Sequence, residues 1–428
     1  MVAGTIIGAS IFVQPSVVTR HVSSIAGAYA VWALAGALTL VGALVCAELA
    51  SAFPKSGGVY VFLREAYSPA LGFLWGWAMF WSMHSGIVAA IAVVVGRYAA
   101  TFVPLGPAGT RGVAIAAVLA LSAVNYRGIR QGSTVQTVLT LAKVGAVVAI
   151  AGAAFALGPR GGAPAAAPAA AAEEAGGAAG FVLALAAGLF AFGGWHMVTY
   201  TAGETLAPER TLPRALIAGT LLVTACYIAL NAAYFHVLPL DVVRSSSRVA
   251  ADAADAVLGS GGAAVLAGVV CLSALGALNG IVLTGPRVYH AMARDGLLFR
   301  WLGEVHPAFG TPHRAIALQA VWASVLVATG TYETLFVQVV YTEWIFFALM
   351  AVGLLVLRRR PAYAPRFTLR GGPLLPALFV AAALLVAGYQ IADASARGLI
   401  GLLLVGLGIP AYLLRQAGAR RGGPAGVV

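Results

Sequence analysis

The sequence predicts an all-α membrane protein of twelve transmembrane helices, and three observations carry the prediction. Of its 428 residues 61% are hydrophobic and only 9% charged, where an ordinary soluble domain has roughly 25% charged. Apolar runs of about twenty residues recur along nearly the whole length, and each matches the roughly 30 Å of hydrocarbon that a helix must cross. Stretches such as Val31 to Val45 and Leu374 to Ala387 are apolar on every face, whereas a barrel strand alternates over about ten residues.

Taken in order, the runs between proline, glycine and charge punctuation give spans at 3–19, 27–52, 70–103, 113–124, 133–157, 180–206, 211–238, 262–292, 313–331, 334–357, 373–391 and 398–414. With the amino terminus inside, about eighteen of the 26 Lys and Arg residues fall on inner loops and adjoining span ends and about six outside, leaving Arg97 and Lys143 within spans. That bias predicts two cytoplasmic termini in a cell (inner) membrane protein. It also turns the net charge of +12 into an orientation signal, so no nucleic-acid partner is expected. Met1 to Phe12 lacks the basic start of a cleavable signal peptide, and the first helix is expected to stay in the protein. Cys46, Cys226 and Cys271 all lie in apolar runs, where they read as small core residues and offer neither a disulfide framework nor a CxxC metal site. No cofactor is expected. Gly158 to Ala179, mostly Ala, Pro and Gly with Glu173 and Glu174, reads as a low-complexity outer loop.

That loop separates a first block of spans, 1–157, from a second, 180–358, and both blocks open on a glycine-interrupted helix. The first holds Gly4-Thr5-Ile6-Ile7-Gly8-Ala9-Ser10-Ile11-Phe12 and the second Phe190-Ala191-Phe192-Gly193-Gly194-Trp195-His196. An unpaired backbone amide in lipid is costly, so an unwound segment at mid-membrane persists where it lines a protein-enclosed polar cavity. Half-helix amino ends offer free N–H groups and a positive dipole to a carboxylate, and half-helix carboxyl ends offer carbonyls to an ammonium. An α-amino acid zwitterion carries both complements. Taken alone, Gly4-x-x-x-Gly8 would read as a close helix contact; the second interruption at the corresponding place is what inverted-repeat transporters predict.

Through GTIIGASIF (4–12), ELASAFPKSGGVYVFLREAY (48–67), VQTVLTLAK (135–143), FAFGGWHMVTYTAGE (190–204), RTLPRAL (210–216), RVYHAMARDGLL (287–298), HPAFGTPHRAI (306–316) and WIFFALMAVGLLVLRRRP (344–361), the chain resembles the amino acid, polyamine and organocation transporter superfamily. Within it the L-type amino acid transporter branch is the nearest match in pattern. The resemblance covers almost the whole chain and implies a five-plus-five inverted-repeat core with broken helices 1 and 6, peripheral spans over 373–415, and alternating access by rocking of the broken helices. It implies that amides around Gly8, Ala9 and Ser10 hold the substrate carboxylate and that carbonyls near Ile6, Phe190 and Gly193 take the ammonium. Phe190 would close over the site from outside, and Trp195 and His196 would shape the side-chain pocket.

Two departures from the family pattern bear on substrate. His196 stands where the family commonly has Asn. Gly8-Ala9-Ser10 replaces Gly-Ser-Gly or Gly-Ala-Gly, and a Cβ at the third position narrows approach to the backbone, which favours small substrates. The family also has a longer lead into its first half-helix than the roughly 10 Å that about seven residues supply here, as expected of a truncated or mis-started sequence. Eukaryotic members pair with a single-span glycoprotein through a cysteine after span three; residues 102–112 hold none, so no disulfide-linked partner is expected.

Lys143 falls near the middle of span five, too deep to snorkel easily, and an ammonium at that depth points to function. Family members set a matching lysine against the unwound part of helix one, where sodium-coupled relatives of the fold place a cation, so sodium independence follows as an expectation. His84 reads first as a hydrogen-bonded packing residue and second as a proton relay. Glu48 and Glu204 are expected to pair with loop arginines, and Trp75, Trp77 and Trp81 to pack or anchor. The chain shows no HExxH, nucleophile elbow or paired-carboxylate pattern, so no enzymatic activity is expected. The leading function is exchange of small neutral L-amino acids. Proton-coupled symport, with His84 or His196 carrying the proton, stays open, as does a transport-inactive sensor or structural subunit. Cationic substrates rank lower because no acidic residue falls in either broken segment.

Overall fold

The computed structural model describes residues 1–158, 177–259, 261–330, 332–393 and 399–421; the outer loop expected at 158–179 lies almost entirely outside them. All regular structure among the described residues is helical. The first block contains α1 (Val2–Ile6), α2 (Gln14–His21), α3 (Ile25–Ala52), α4 (Val59–Ala66), α5 (Pro69–Ala78), α6 (His84–Ala99), α7 (Pro107–Tyr126) and α8 (Ile129–Leu157). The second contains α9 (Ala178–Ala191), α10 (Pro208–Val237), α11 (Leu240–Ser245), α12 (Val249–Leu258), α13 (Gly262–Arg294), α14 (His313–Thr329) and α15 (Tyr332–Leu357). It is followed by α16 (Leu374–Asp393), α17 (Leu399–Gly406) and α18 (Gly408–Arg421).

Eight helical stretches among the described residues are long and apolar enough to cross a membrane: α3, α5 with α6, α7, α8, α9 with its continuation to Glu204, α10, α13 and α16. The predicted span at 3–19 is divided between α1, a 3₁₀ turn over Ser10–Phe12 and α2. The one predicted at 313–331 is the 17-residue α14. A π-turn over Met79–Met83 joins α5 to α6, widening the helix just before His84.

Local chemistry sets the helix starts. The Ser24 hydroxyl accepts from the Gly27 amide at 3.0 Å to cap α3, and Ser68 caps α5 with Pro69 in its first turn, a position where the missing N–H costs nothing. In hydrocarbon the helices gain little from apolar burial against one another, so close backbone approach through small residues holds the bundle. A Cβ on Gly36 of α3 would meet Thr224 of α10 at 2.5 Å, and one on Gly4 of α1 would meet Thr140 and Gln136 of α8 at 2.1 and 2.4 Å. The Gly4 position is thus a close-packing contact, as the simple reading of Gly4-x-x-x-Gly8 had it. Gly8 is different: nothing lies nearer than 3.7 Å to a Cβ built there. Around this frame α3 runs along α10, and α13 packs against α6 and α8, enclosing α1 and the end of α9.

Candidate functional site

α1 ends at Ile7, whose ψ of 95° leaves the helical region. Among the described residues the amides of Gly8, Ala9 and Ser10 have no acceptor in the protein, and backbone pairing resumes only with Phe12 to Ala9 at 3.1 Å. Side chains from three other helices occupy the carbonyls on the α1 side of the break. The Lys143 ammonium of α8 donates to Gly4 O at 2.9 Å, Ile7 O at 2.7 Å and Ser273 O at 3.0 Å. The Ser273 hydroxyl of α13 lies 3.2 Å from Ile7 O and 3.0 Å from Gly8 O. The lysine fits because Gly276 leaves it room: a Cβ there would sit 2.7 Å from Nζ.

The second break falls within the expected segment 190–196. Phe190 still belongs to the last turn of α9, and the helix gives way over Phe192 to Gly194, where Gly194 adopts φ 99°. Only glycine enters that left-handed region cheaply, and a Cβ there would also press on Thr5 O at 3.2 Å. The chain continues as a ten-residue 3₁₀ helix, Trp195–Glu204. Two side chains tie the breaks together. The Thr5 hydroxyl lies 3.2 Å from Gly194 O, and the Tyr227 hydroxyl of α10 lies 3.2 Å from Ile6 O and 2.8 Å from Ala191 O. Sequence reasoning missed Thr5, Ser273 and Tyr227, since a lone hydroxyl in an apolar run carries no local signal.

A cavity of about 310 Å³ lies between the breaks, at the small end of small-molecule sites. Its walls include Ile6, Gly8, Ala9, Ser10, Phe190, Gly193 and Trp195, so the structure gathers every expected substrate residue except His196. The 3₁₀ winding turns His196 away. It is fully buried, in edge-on ring contact with Trp75, Trp195, Tyr200 and Phe347, with no hydrogen-bond partner among the described residues on either ring nitrogen. His84 is likewise buried, without a hydrogen-bond partner among the described residues, where the sequence led one to expect a hydrogen-bonded packing residue. The rest of the lining is mostly aliphatic and aromatic, including Ile87, Ile91, Ile281, Trp344 and Phe347.

One lining residue is ionisable: Glu343 of α15. Its Oε1 lies 3.6 Å from His196 Nε2. The absence of an acid from the two broken segments, used above to rank cationic substrates low, therefore does not extend to the cavity, because a third helix delivers one.

Past the breaks, on the side away from α2, the protein is sealed. Gly58, at φ 48°, lets the turn before α4 press against Thr199 and Tyr200. The Gly57 amide donates to Tyr200 O at 3.2 Å and the Gly203 amide to the Ser56 hydroxyl at 3.2 Å. Arg287 reaches both oxygens of Glu204, at 3.0 and 2.7 Å, although it comes from within α13 and not from a loop. Asp295 accepts from Tyr60 at 2.6 Å and pairs with Arg64; burial, then the Asp295 carboxylate, raises the Tyr60 phenol above its usual range. The Glu48 carboxylate, fully buried, is met by Arg358 at 2.8 and 2.5 Å and by the Leu369 amide at 2.6 Å. Both glutamates thus have arginine partners. Trp77 donates to Leu404 O at 2.9 Å and Trp75 is buried, in keeping with packing.

A family model described as amino acid permease matches residues 1–396. The serine/threonine exchanger SteT of Bacillus subtilis (strain 168) is 33% identical over 418 residues, covering 96% of this chain and 94% of that protein. The b(0,+)-type amino acid transporter 1 of Homo sapiens is 33% identical over 363 residues, 84% of this chain and 74% of its own length. The Asc-type amino acid transporter 1 of Mus musculus is 31% identical over 433 residues, 97% and 79% respectively.

Proposed function

Since this chain belongs to the amino acid permease family and is a multi-pass membrane transporter of amino acids, not an enzyme, we propose that it exchanges small neutral L-amino acids across the cell (inner) membrane by sodium-independent alternating access. The unpaired amides of Gly8, Ala9 and Ser10 at the cavity wall carry this reading. They are donors suited to a carboxylate, and the carbonyls of Ile6, Phe190 and Gly193 beside them suit an ammonium. The similarity to the serine/threonine exchanger of Bacillus subtilis supports exchange, and that to the Asc-type transporter supports amino acid transport. Lys143 supports sodium independence, because its Nζ already donates to carbonyls that would otherwise suit a cation.

The architecture proposed with it has twelve spans in two inverted blocks, 1–157 and 180–358, with 373–415 peripheral and both termini cytoplasmic. In that orientation the sealed side with Arg64, Asp295, Glu204 and Arg287 faces the cytoplasm. The cavity, which reaches Val13, Gln14 and Val94, faces out, with Phe190 as its closing aromatic. The decisive experiment is uptake of labelled alanine, serine or leucine into proteoliposomes. Uptake should rise when unlabelled amino acid fills the lumen and should not change when sodium is replaced; absence of trans-stimulation rules exchange out.

A second reading, proton-coupled symport, draws on the unpartnered nitrogens of His84 and His196 and on Glu343 beside them. It requires uptake to follow an imposed pH gradient. Ligand-induced thermal stabilisation without flux would favour a transport-inactive sensor.

A further inference from the structure

We propose that Glu343 supplies a second, anionic substrate contact, so that the cavity also accepts amino acids whose side chain ends in a cation, such as lysine, ornithine or arginine. The proposal rests on the reading of the two breaks as the zwitterion site and adds a place for the side chain. Glu343 is the one ionisable group among the residues lining the cavity. Among the described residues its one ion-pair neighbour is His196 at 3.6 Å, beyond hydrogen-bond range. His196 is a poor counter-ion, because it is enclosed by the rings of Trp75, Trp195, Tyr200 and Phe347 and a charged imidazole there would lack hydration and hydrogen bonds. Behind it lies His84, with both ring nitrogens unpartnered. His196 faces the carboxylate, with Tyr200 against His196 and His84 against Tyr200, and among the described residues no lysine or arginine lines the cavity.

A lone carboxylate in a membrane-embedded cavity is expensive unless something positive meets it. Here the surroundings suit a cationic head group on a hydrocarbon stem. Trp195, Trp344 and Phe347 line the same cavity, and aromatic faces attract cations where water is excluded. Ile87 and Ile91 line it as well and would take the methylenes. The carboxylate then accepts a charge-assisted hydrogen bond from the substrate.

The test is competition by lysine, ornithine and arginine against labelled alanine in proteoliposomes, read in parallel as ligand-induced thermal stabilisation of the purified protein, which needs no flux. Wild-type protein should be inhibited and stabilised by the basic amino acids. In Glu343→Gln the concentration of lysine needed, relative to that of alanine, should rise by about tenfold or more. Glu343→Asp, which keeps the charge, should retain most of the lysine preference. Basic amino acids that neither compete with nor stabilise the wild type overturn the proposal. So does an unchanged lysine-to-alanine ratio in the Gln variant, and if that variant also loses its response to an imposed pH gradient the carboxylate belongs to a proton. Alanine transport without lysine recognition removes this inference alone, whereas failure of alanine itself removes the exchange reading on which it stands.

Discussion

Lys143 and Ile7 are 136 residues apart, yet the ammonium of one donates to the carbonyl of the other at 2.7 Å, where the first helix lets go of its own hydrogen bonds. The lysine therefore does for α1 what the next turn of helix would have done. Lys143→Met keeps the bulk and removes the donors to Gly4, Ile7 and Ser273. Gly4 O loses its side-chain partner while Ile7 O keeps the Ser273 hydroxyl, so a loss of roughly 1–3 kcal/mol is expected, with amino acid uptake abolished. Thermal melts in detergent together with proteoliposome uptake check both; full uptake in Lys143→Met would show that the bonded lysine is dispensable.

Tyr227 joins Ile6 O to Ala191 O, whereas the buried hydroxyl of Tyr234 on the same helix has no partner. Tyr227→Phe should cost about 1 to 2 kcal/mol and slow uptake severalfold. Tyr234→Phe should change stability by less than about 0.5 kcal/mol. Paired melting curves decide, and equal effects of the two substitutions would mean that the bridge between the breaks is of no energetic consequence.

Two glycines at the site answer differently to a methyl group. Gly194→Ala forces φ 99° on a residue with a Cβ and crowds Thr5 O at 3.2 Å, for an expected cost of roughly 1–3 kcal/mol. Gly8→Ala meets nothing nearer than 3.7 Å, so the fold should hold while the narrowed approach to the amides weakens substrate recognition. Stability measured beside the apparent affinity for alanine separates them; a Gly8→Ala protein that melts early would contradict the open space found around that position.

The two ion pairs on the sealed side differ in depth. Arg287 is 2% exposed and Glu204 29%, whereas Arg64 and Asp295 are 17% and 36% exposed, so the pairs differ mainly at the arginine. Arg287→Met leaves the part-exposed Glu204 carboxylate without its partner and should destabilise by about 1–3 kcal/mol. Arg64→Met should cost less than about 1 kcal/mol while raising thiol-reagent access to a cysteine placed at Ser56 by up to about fivefold. Melting curves and labelling rates read the two effects independently.

Much of the site was legible because glycine clusters are conspicuous in hydrocarbon. Gly8 and Gly193–Gly194 announced where backbone groups would go unpaired, and Lys143 announced that something polar awaited it in mid-span. Glu343 was not legible. It sits in an apolar run whose helical face is set by how α15 packs against α4, α6 and α16, and that information is absent from the local pattern. His196 was assigned to the pocket by position, but overwinding of the segment that follows Gly194 shifts which neighbours share a face, bringing Trp195 to the cavity and turning His196 inward. The glycines mark the second break to within two residues, because α9 persists through Phe190 and Ala191 before giving way.

A 3₁₀ helix rises about 2.0 Å per residue and an α-helix about 1.5 Å, so the ten residues from Trp195 to Glu204 hold roughly 5 Å of surplus length. Rewinding them as α-helix would shorten the strut by that amount and pull the Glu204 end against Arg287 of α13, which binds it. Any change in the winding of this one stretch is therefore felt at α13 through the Arg287–Glu204 pair that closes the shut face.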